Sequence, residues 1–115
     1  MAGNDEWTVR QDELVRAWQE TLPQRLAPGD EAVVMADGAD PRALRVHIRT
    51  AGHQMMEFDF VVRYVDSREI EVTLTDAERD GQTVDERNDI MQQLVADYRR
   101  HMHECAQALH SLTHA

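Results

Sequence analysis

The sequence predicts an α+β fold of two layers in the order α-β-β-β-β-α. A four-stranded antiparallel meander carries an N-terminal helix and a long C-terminal helix packed on one face. Three observations lead there. Apolar residues recur at helical spacing near both ends of the chain. Between them, after a short apolar run, apolar and polar residues alternate over three segments, the period of half-buried strands. The connections between the alternating runs are too short for a crossover helix, and each run keeps one polar face, so neighbouring strands are expected to be antiparallel. With 115 residues the chain has room for one domain, residues 1–115, and for a core that needs neither disulfide nor metal.

Residues 1–7 carry no pattern and are expected to fray. A helix is expected from about Thr8 to Leu22: Leu14, Trp18 and Leu22 recur every fourth position with Val15 beside them, and Thr8 with Gln11 forms a capping box. Pro23 ends it, and Pro28-Gly29-Asp30 turns the chain. Glu31 to Ala36 is a short apolar strand. From Ala43 to Arg49, Leu44, Val46 and Ile48 alternate with Arg45, His47 and Arg49. Ala51-Gly52-His53 makes the next turn. From Met55 to Val65, Met56, Phe58, Phe60, Val62 and Tyr64 share one face, with Glu57, Asp59 and Arg63 on the other. Asp66-Ser67-Arg68 suits a hairpin. In the last strand Ile70, Val72 and Leu74 face inward and Glu69, Glu71, Thr73 and Thr75 outward, and Asp76 to Gln82 reads as a polar loop.

Thr83-Val84-Asp85-Glu86 has the S/T-x-x-E form of a capping box, so the final helix is expected to run unbroken from Thr83 to about Leu112. Its apolar stripe is Met91, Val95, Tyr98, Met102, Cys105, Leu109 and Leu112, widened by Ile90 and Leu94 in the first half only. A helix of about thirty residues spans roughly 45 Å, longer than the sheet beneath it. Its second half keeps a narrow seam of Met102, Cys105, Leu109 and Leu112, the width one partner helix covers. The first helix of the same chain could fill that seam, or a second copy could, making a homodimer.

Acidic residues outnumber basic ones 22 to 12, giving a net charge of −10. That excludes the positive surface a nucleic-acid or anionic-membrane binder requires and favours a protein partner with a basic surface. Every basic residue is arginine, so every ion pair to a cation other than histidine uses the planar guanidinium. One cysteine, Cys105, forms no internal disulfide, and no signal-peptide pattern or long apolar run appears, so a reducing, cytoplasmic setting is expected. Residues 51–82 hold eight acids against three arginines, which makes the outer sheet face the acidic pole. Glu57, Asp59, Glu69 and Glu71 are its candidate docking residues.

Chemistry-bearing motifs are scarce. There is no P-loop, G-x-G-x-x-G, G-x-S-x-G or C-x-x-C. His101, His103, His110 and His114 crowd the end of the chain, yet no H-E-x-x-H pattern accompanies them and no metal site is expected; positive charge is simply favoured at a helix C-terminus. His101 and Cys105 lie four apart, but Cys105 belongs to the apolar stripe, where a thiol acts as a small hydrophobe. No cofactor is implied.

Val9-Arg10-Gln11-Asp12-Glu13-Leu14 and Arg99-Arg100-His101-Met102-His103, in an Arg- and Ala-rich chain, resemble the small families of unknown function found in Burkholderia and related GC-rich proteobacteria. That resemblance implies no activity. In size, acidity and helices flanking an antiparallel sheet, the chain also looks like type III secretion chaperones, dimers that hold an extended segment of another protein. It departs from their order, because Asp66-Ser67-Arg68 leaves no room for a helix after the third long strand, and no residue role carries over. The expected function is a non-enzymatic, acidic protein-interaction module, secretion-chaperone-like or immunity-protein-like. The alternative is a small ligand-binding or enzymatic domain with a pocket between helices and sheet.

Overall fold

The computed structural model describes residues 7, 9–51, 56–79, 82–83 and 89–113. Helix α1 (Gln11–Thr21) leads into a single 3-10 turn, Leu22–Arg25, that carries Pro23 in its first turn. Strands β1 (Glu31–Ala36), β2 (Ala43–Arg49), β3 (Met56–Tyr64), β4 (Ile70–Arg79) and β5 (Gln82–Thr83) follow, then helices α2 (Asp89–Ala108) and α3 (His110–Thr113). Each strand pairs antiparallel with the next, so the sheet order is β1-β2-β3-β4-β5. The two-layer α+β arrangement holds, with the four long strands in one sheet.

Alternation does the sorting. Along β3, Met56, Phe58, Phe60, Val62 and Tyr64 are buried while the residues between them are not. Leu14, Trp18 and Leu22, each 0% exposed, lie beneath one end of the sheet; Met91, Tyr98, Met102 and Cys105 of α2 join the same core. Trp18 Nε1 donates to the Tyr64 hydroxyl at 3.0 Å, so both polar tips inside this core are satisfied. Burial holds the Tyr64 phenol up at about 12, against the partial relief of that hydrogen bond. Phe58 meets Tyr98 at 5.4 Å between ring centroids, and the Tyr98 hydroxyl reaches Asp30 Oδ2 at 3.2 Å, tying α2 to the turn before β1.

Glutamines on one side of α1 close the β1 edge. Gln19 Nε2 donates to the Ala32 carbonyl at 2.9 Å while Gln19 Oε1 accepts the Val34 N–H at 2.8 Å, as a neighbouring strand would. Eight residues earlier on the same side, Gln11 Nε2 sits within 3.0 Å of the carbonyls of Asp37, Asp40 and Ala43.

Four details differ from the expectation. Trp7 does not behave as part of a frayed end: its ring packs on Tyr64 at 5.0 Å and under the Arg42 guanidinium at 5.4 Å. The helix start at Thr8 lies outside the described residues, and α1 begins at Gln11 with Arg10 as its first carbonyl acceptor. The region from Asp76 is not a loop. β4 continues to Arg79 and turns into β5 through two residues, Asp80-Gly81 by sequence, the dipeptide tight hairpins favour. Thr83 therefore ends a strand, and residues 84–88 of the expected helix start lie outside the described residues. The expected rod is also divided: α2 is described over Asp89–Ala108, and the chain breaks at Leu109 before α3. The reason is a fastening: Thr113 Oγ1 donates to the Ser67 carbonyl at 2.8 Å in a buried contact, which folds the helix end against the β3–β4 turn.

Candidate functional site: the open face of the sheet

The helices cover one face of the sheet and leave the other to solvent. Its rows follow from the register. Glu31, Arg49, Glu57 and Glu78 stand in one row; Val33, His47, Asp59 and Asp76 in the next; Met35, Arg45, Val61 and Thr73 in the third; Ala43, Arg63 and Glu71 in the fourth.

A β-bulge makes the first two rows acidic. Asp59 pairs with Asp76 and Phe60 with Leu74, so Thr75 is the extra residue of β4. The insertion shifts the alternation by one position. Ala77 turns into the core at 2% exposure, and Asp76 and Glu78 come out beside Asp59 and Glu57. The Thr75 hydroxyl donates to the Asp59 carbonyl at 3.1 Å and pins the bulge.

Like charges this close disfavour ionisation. Glu78 is held above its ordinary value of 4.5, first by its hydrogen bond with Asp76 and that group's charge, then by Glu57 and Asp59 at longer range. His47 counters the cluster from β2. Its Nδ1 lies 2.7 Å from Asp59 Oδ1 and its Nε2 2.8 Å from Glu57 Oε1. Carboxylates only accept, so satisfying both contacts requires the doubly protonated imidazolium. Burial works against that cation, but the two carboxylates outweigh it and hold His47 above 6.5. Arg49 adds weaker contacts to Glu57 at 3.9 Å and Glu31 at 3.8 Å. The surroundings of the imidazole are thus Val33 of β1, Arg45 and Arg49 of its own strand, and Glu57 and Asp59 of β3, with Asp76 and Glu78 behind them.

This arrangement gives a pH dependence of definite sign. A histidine whose folded pKa exceeds its unfolded one stabilises the fold fully at low pH and loses that contribution as the pH rises through the folded value. Glu78, also raised, adds a fall of the same sign that begins lower, near its ordinary 4.5. The melting temperature is therefore expected to fall as the pH rises from about 6.5 through the folded pKa of His47. The His47→Asn variant should show a flatter profile over that window, read by circular dichroism at fixed ionic strength.

The predicted docking residues separate into two places. Glu57 and Asp59 belong to the His47 cluster. Glu71 stands opposite Arg63, four residues and about 13 Å further along β3. Glu69 sits at the β3–β4 turn, where Asp66 Oδ1 accepts the backbone N–H groups of Arg68 and Glu69 at 2.8 Å. Those N–H groups hold the Asp66 carboxyl below its ordinary range. Asp76 and Glu78 complete the acidic cluster, and sequence reasoning missed both.

Of the predicted seam on the final helix, Met102 and Cys105 are 0% exposed inside the core of the same chain, while Leu109 and Leu112 are partly exposed. Burial pushes the Cys105 thiol up to about 12 and makes it a poor thiolate. His101 pairs with Glu104, with Nδ1 3.1 Å from Oε1. His103 is exposed, His110 lies in α3, and His114 is outside the described residues. Among the described residues no group of three or more His, Cys, Asp or Glu side chains could hold a metal ion, and no helix is long and apolar enough to cross a membrane.

Two apolar side chains complete the open face: Val33 is 49% and Met35 48% exposed, beside the His47 and Arg45 rows. A shallow depression of about 340 Å³ runs there among Met35, Arg45, His47, Asp59, Val61 and Thr75. The space between helices and sheet, by contrast, is occupied by Trp18, Phe58, Tyr98 and Met102. No family model matches the chain, and neither a curated protein nor a solved structure matches it.

Proposed function

We infer that the chain is a non-enzymatic protein-interaction module whose open sheet face receives a partner with a basic surface. The observation that carries this reading is the bulge-built cluster of Glu57, Asp59, Asp76 and Glu78 lying beside exposed Val33 and Met35. An apolar patch next to concentrated charge is what a steered, specific interface requires. A net charge of −10 supports a basic partner and a fast encounter. Secretion-chaperone-like and immunity-protein-like roles, both cytoplasmic, are its concrete forms. The alternative of an enzyme or ligand-binding domain gains less support, because the core between helices and sheet is packed with side chains, the Cys105 thiol is buried and His101 pairs with Glu104.

The test is capture from the native lysate, read by mass spectrometry, with the parent chain and an Asp59→Asn, Asp76→Asn, Glu78→Gln variant side by side. The reading expects basic proteins held by the parent, released by salt that screens surface charge, and absent from the variant. The same proteins on both baits would refute the face as the docking surface.

A further inference from the structure

The two edges of the sheet are treated differently. Gln19 engages two outward groups of β1, the Ala32 carbonyl and the Val34 N–H. On the far side β5 covers β4 only at Glu78 and Arg79. Among the described residues nothing pairs with the outer side of β4, away from β3, between Ile70 and Leu74.

Which backbone groups face outward follows from the ladder. The Val65 N–H donates to the Glu69 carbonyl at 2.9 Å, which marks that pair as hydrogen-bonded. Alternation then aims the N–H and C=O groups of Glu71 and Thr73 at β3, and those of Ile70, Val72 and Leu74 away from it. β2 and β3 keep the same phase: the Tyr64 N–H goes to the Arg42 carbonyl at 2.9 Å. β4 thus presents a row of outward main-chain donors and acceptors. Beside that row α2 leaves a groove of about 390 Å³, with Leu74, Val95 and Ala96 in its wall and Gln92 and Arg99 at its rim. A second depression, of about 350 Å³, continues the line between Ile70 and Ala106 towards the β3–β4 turn.

We propose that the β4 edge and the α2 groove form a strand-addition site for an extended basic segment of another protein, with arginine or lysine alternating with aliphatic residues. Main-chain hydrogen bonds to Ile70, Val72 and Leu74 give the segment its register, and aliphatic side chains on the groove side meet Leu74, Val95 and Ala96. Residues on the other side stand beside Glu71 and Asp76, where positive charge is favoured. Charge also decides against a second copy of this chain. Pairing β4 with itself would lay one acidic row beside another on two molecules of −10 each. The site is distinct from the Val33–His47 face, and either can fail without the other.

The experiment uses the full chain and a fluorescent peptide of about ten residues alternating arginine with valine. Saturable binding is expected, with new hydrogen-exchange protection at the amides of Ile70, Val72 and Leu74, while those of Glu71 and Thr73, already bonded to β3, change little. N-methylating one alternate set of peptide amides should weaken binding by at least about tenfold, and methylating the other set should not. Ala96→Arg, at an exposed position of α2, should weaken it similarly without unfolding the chain. The Asp59→Asn variant, which alters the His47 cluster on β3 and leaves β4 unchanged, should still give the protection pattern at the three β4 amides. Equal tolerance of both methylated peptides, or protection centred on β1 and β2, would overturn the site. So would absence of saturable binding, or a peptide-free dimer that already protects those amides.

Discussion

Trp18→Ala is expected to cost about 3–5 kcal/mol, a large share of the 5–15 kcal/mol typical of a folded domain. Trp18 is fully buried where α1, the sheet and the 3-10 turn converge. Its removal deletes the largest apolar surface in that corner and leaves a cavity the surrounding strands cannot close. It also deprives the Tyr64 hydroxyl of its donor. A companion variant isolates the polar part. Tyr64→Phe keeps the ring but leaves Trp18 Nε1 buried without an acceptor, at a cost of about 1–3 kcal/mol. Urea unfolding followed by tryptophan fluorescence and circular dichroism reads both. An unchanged midpoint in Trp18→Ala would mean that α1 does not dock where described.

Met102→Asp is expected to abolish folding, whereas Leu109→Asp leaves a folded chain. Met102 is fully enclosed by its own chain, and an unpaired carboxylate there costs several kcal/mol, comparable with the whole stability. Leu109 is only partly buried, at the break between α2 and α3, and its loss amounts to about 1–2 kcal/mol. The contrast separates core from surface along one stripe. Sedimentation of Leu109→Asp against the parent then reads whether a second copy covers Leu109 and Leu112, since a dimer through this end requires its mass to fall. A well-folded Met102→Asp would show that the seam is not internal.

Much of the fold was legible because it rests on local periodicity. Leu14, Trp18 and Leu22 announced the buried side of α1, and the alternation of Leu44, Val46 and Ile48 marked β2 with its observed ends. What failed was every place where a long-range pairing overrode a local rule. The Thr75 bulge breaks the alternation at the point where Asp76 and Glu78 join the candidate site, so a period-of-two reading ended the strand too early. The polar composition from Asp76 onward read as a loop, but pairing of Gln82–Thr83 with Glu78–Arg79 carries the sheet on. His47 was legible as an outward residue, but its grip on Asp59 and Glu57 exists only once β2 and β3 are in register. Gln11 and Gln19 gave no warning at all, because a surface glutamine on a helix looks the same whether it meets water or an unpaired strand.

The carboxamide of Gln19 also limits how large an assembly this chain can enter. Fibrous growth through sheet edges needs two receptive sides on every unit, one to give and one to take. With β1 already engaged from within at Ala32 and Val34, a molecule that accepts a strand along β4 offers a blunted second side to the next, which disfavours growth beyond a single step.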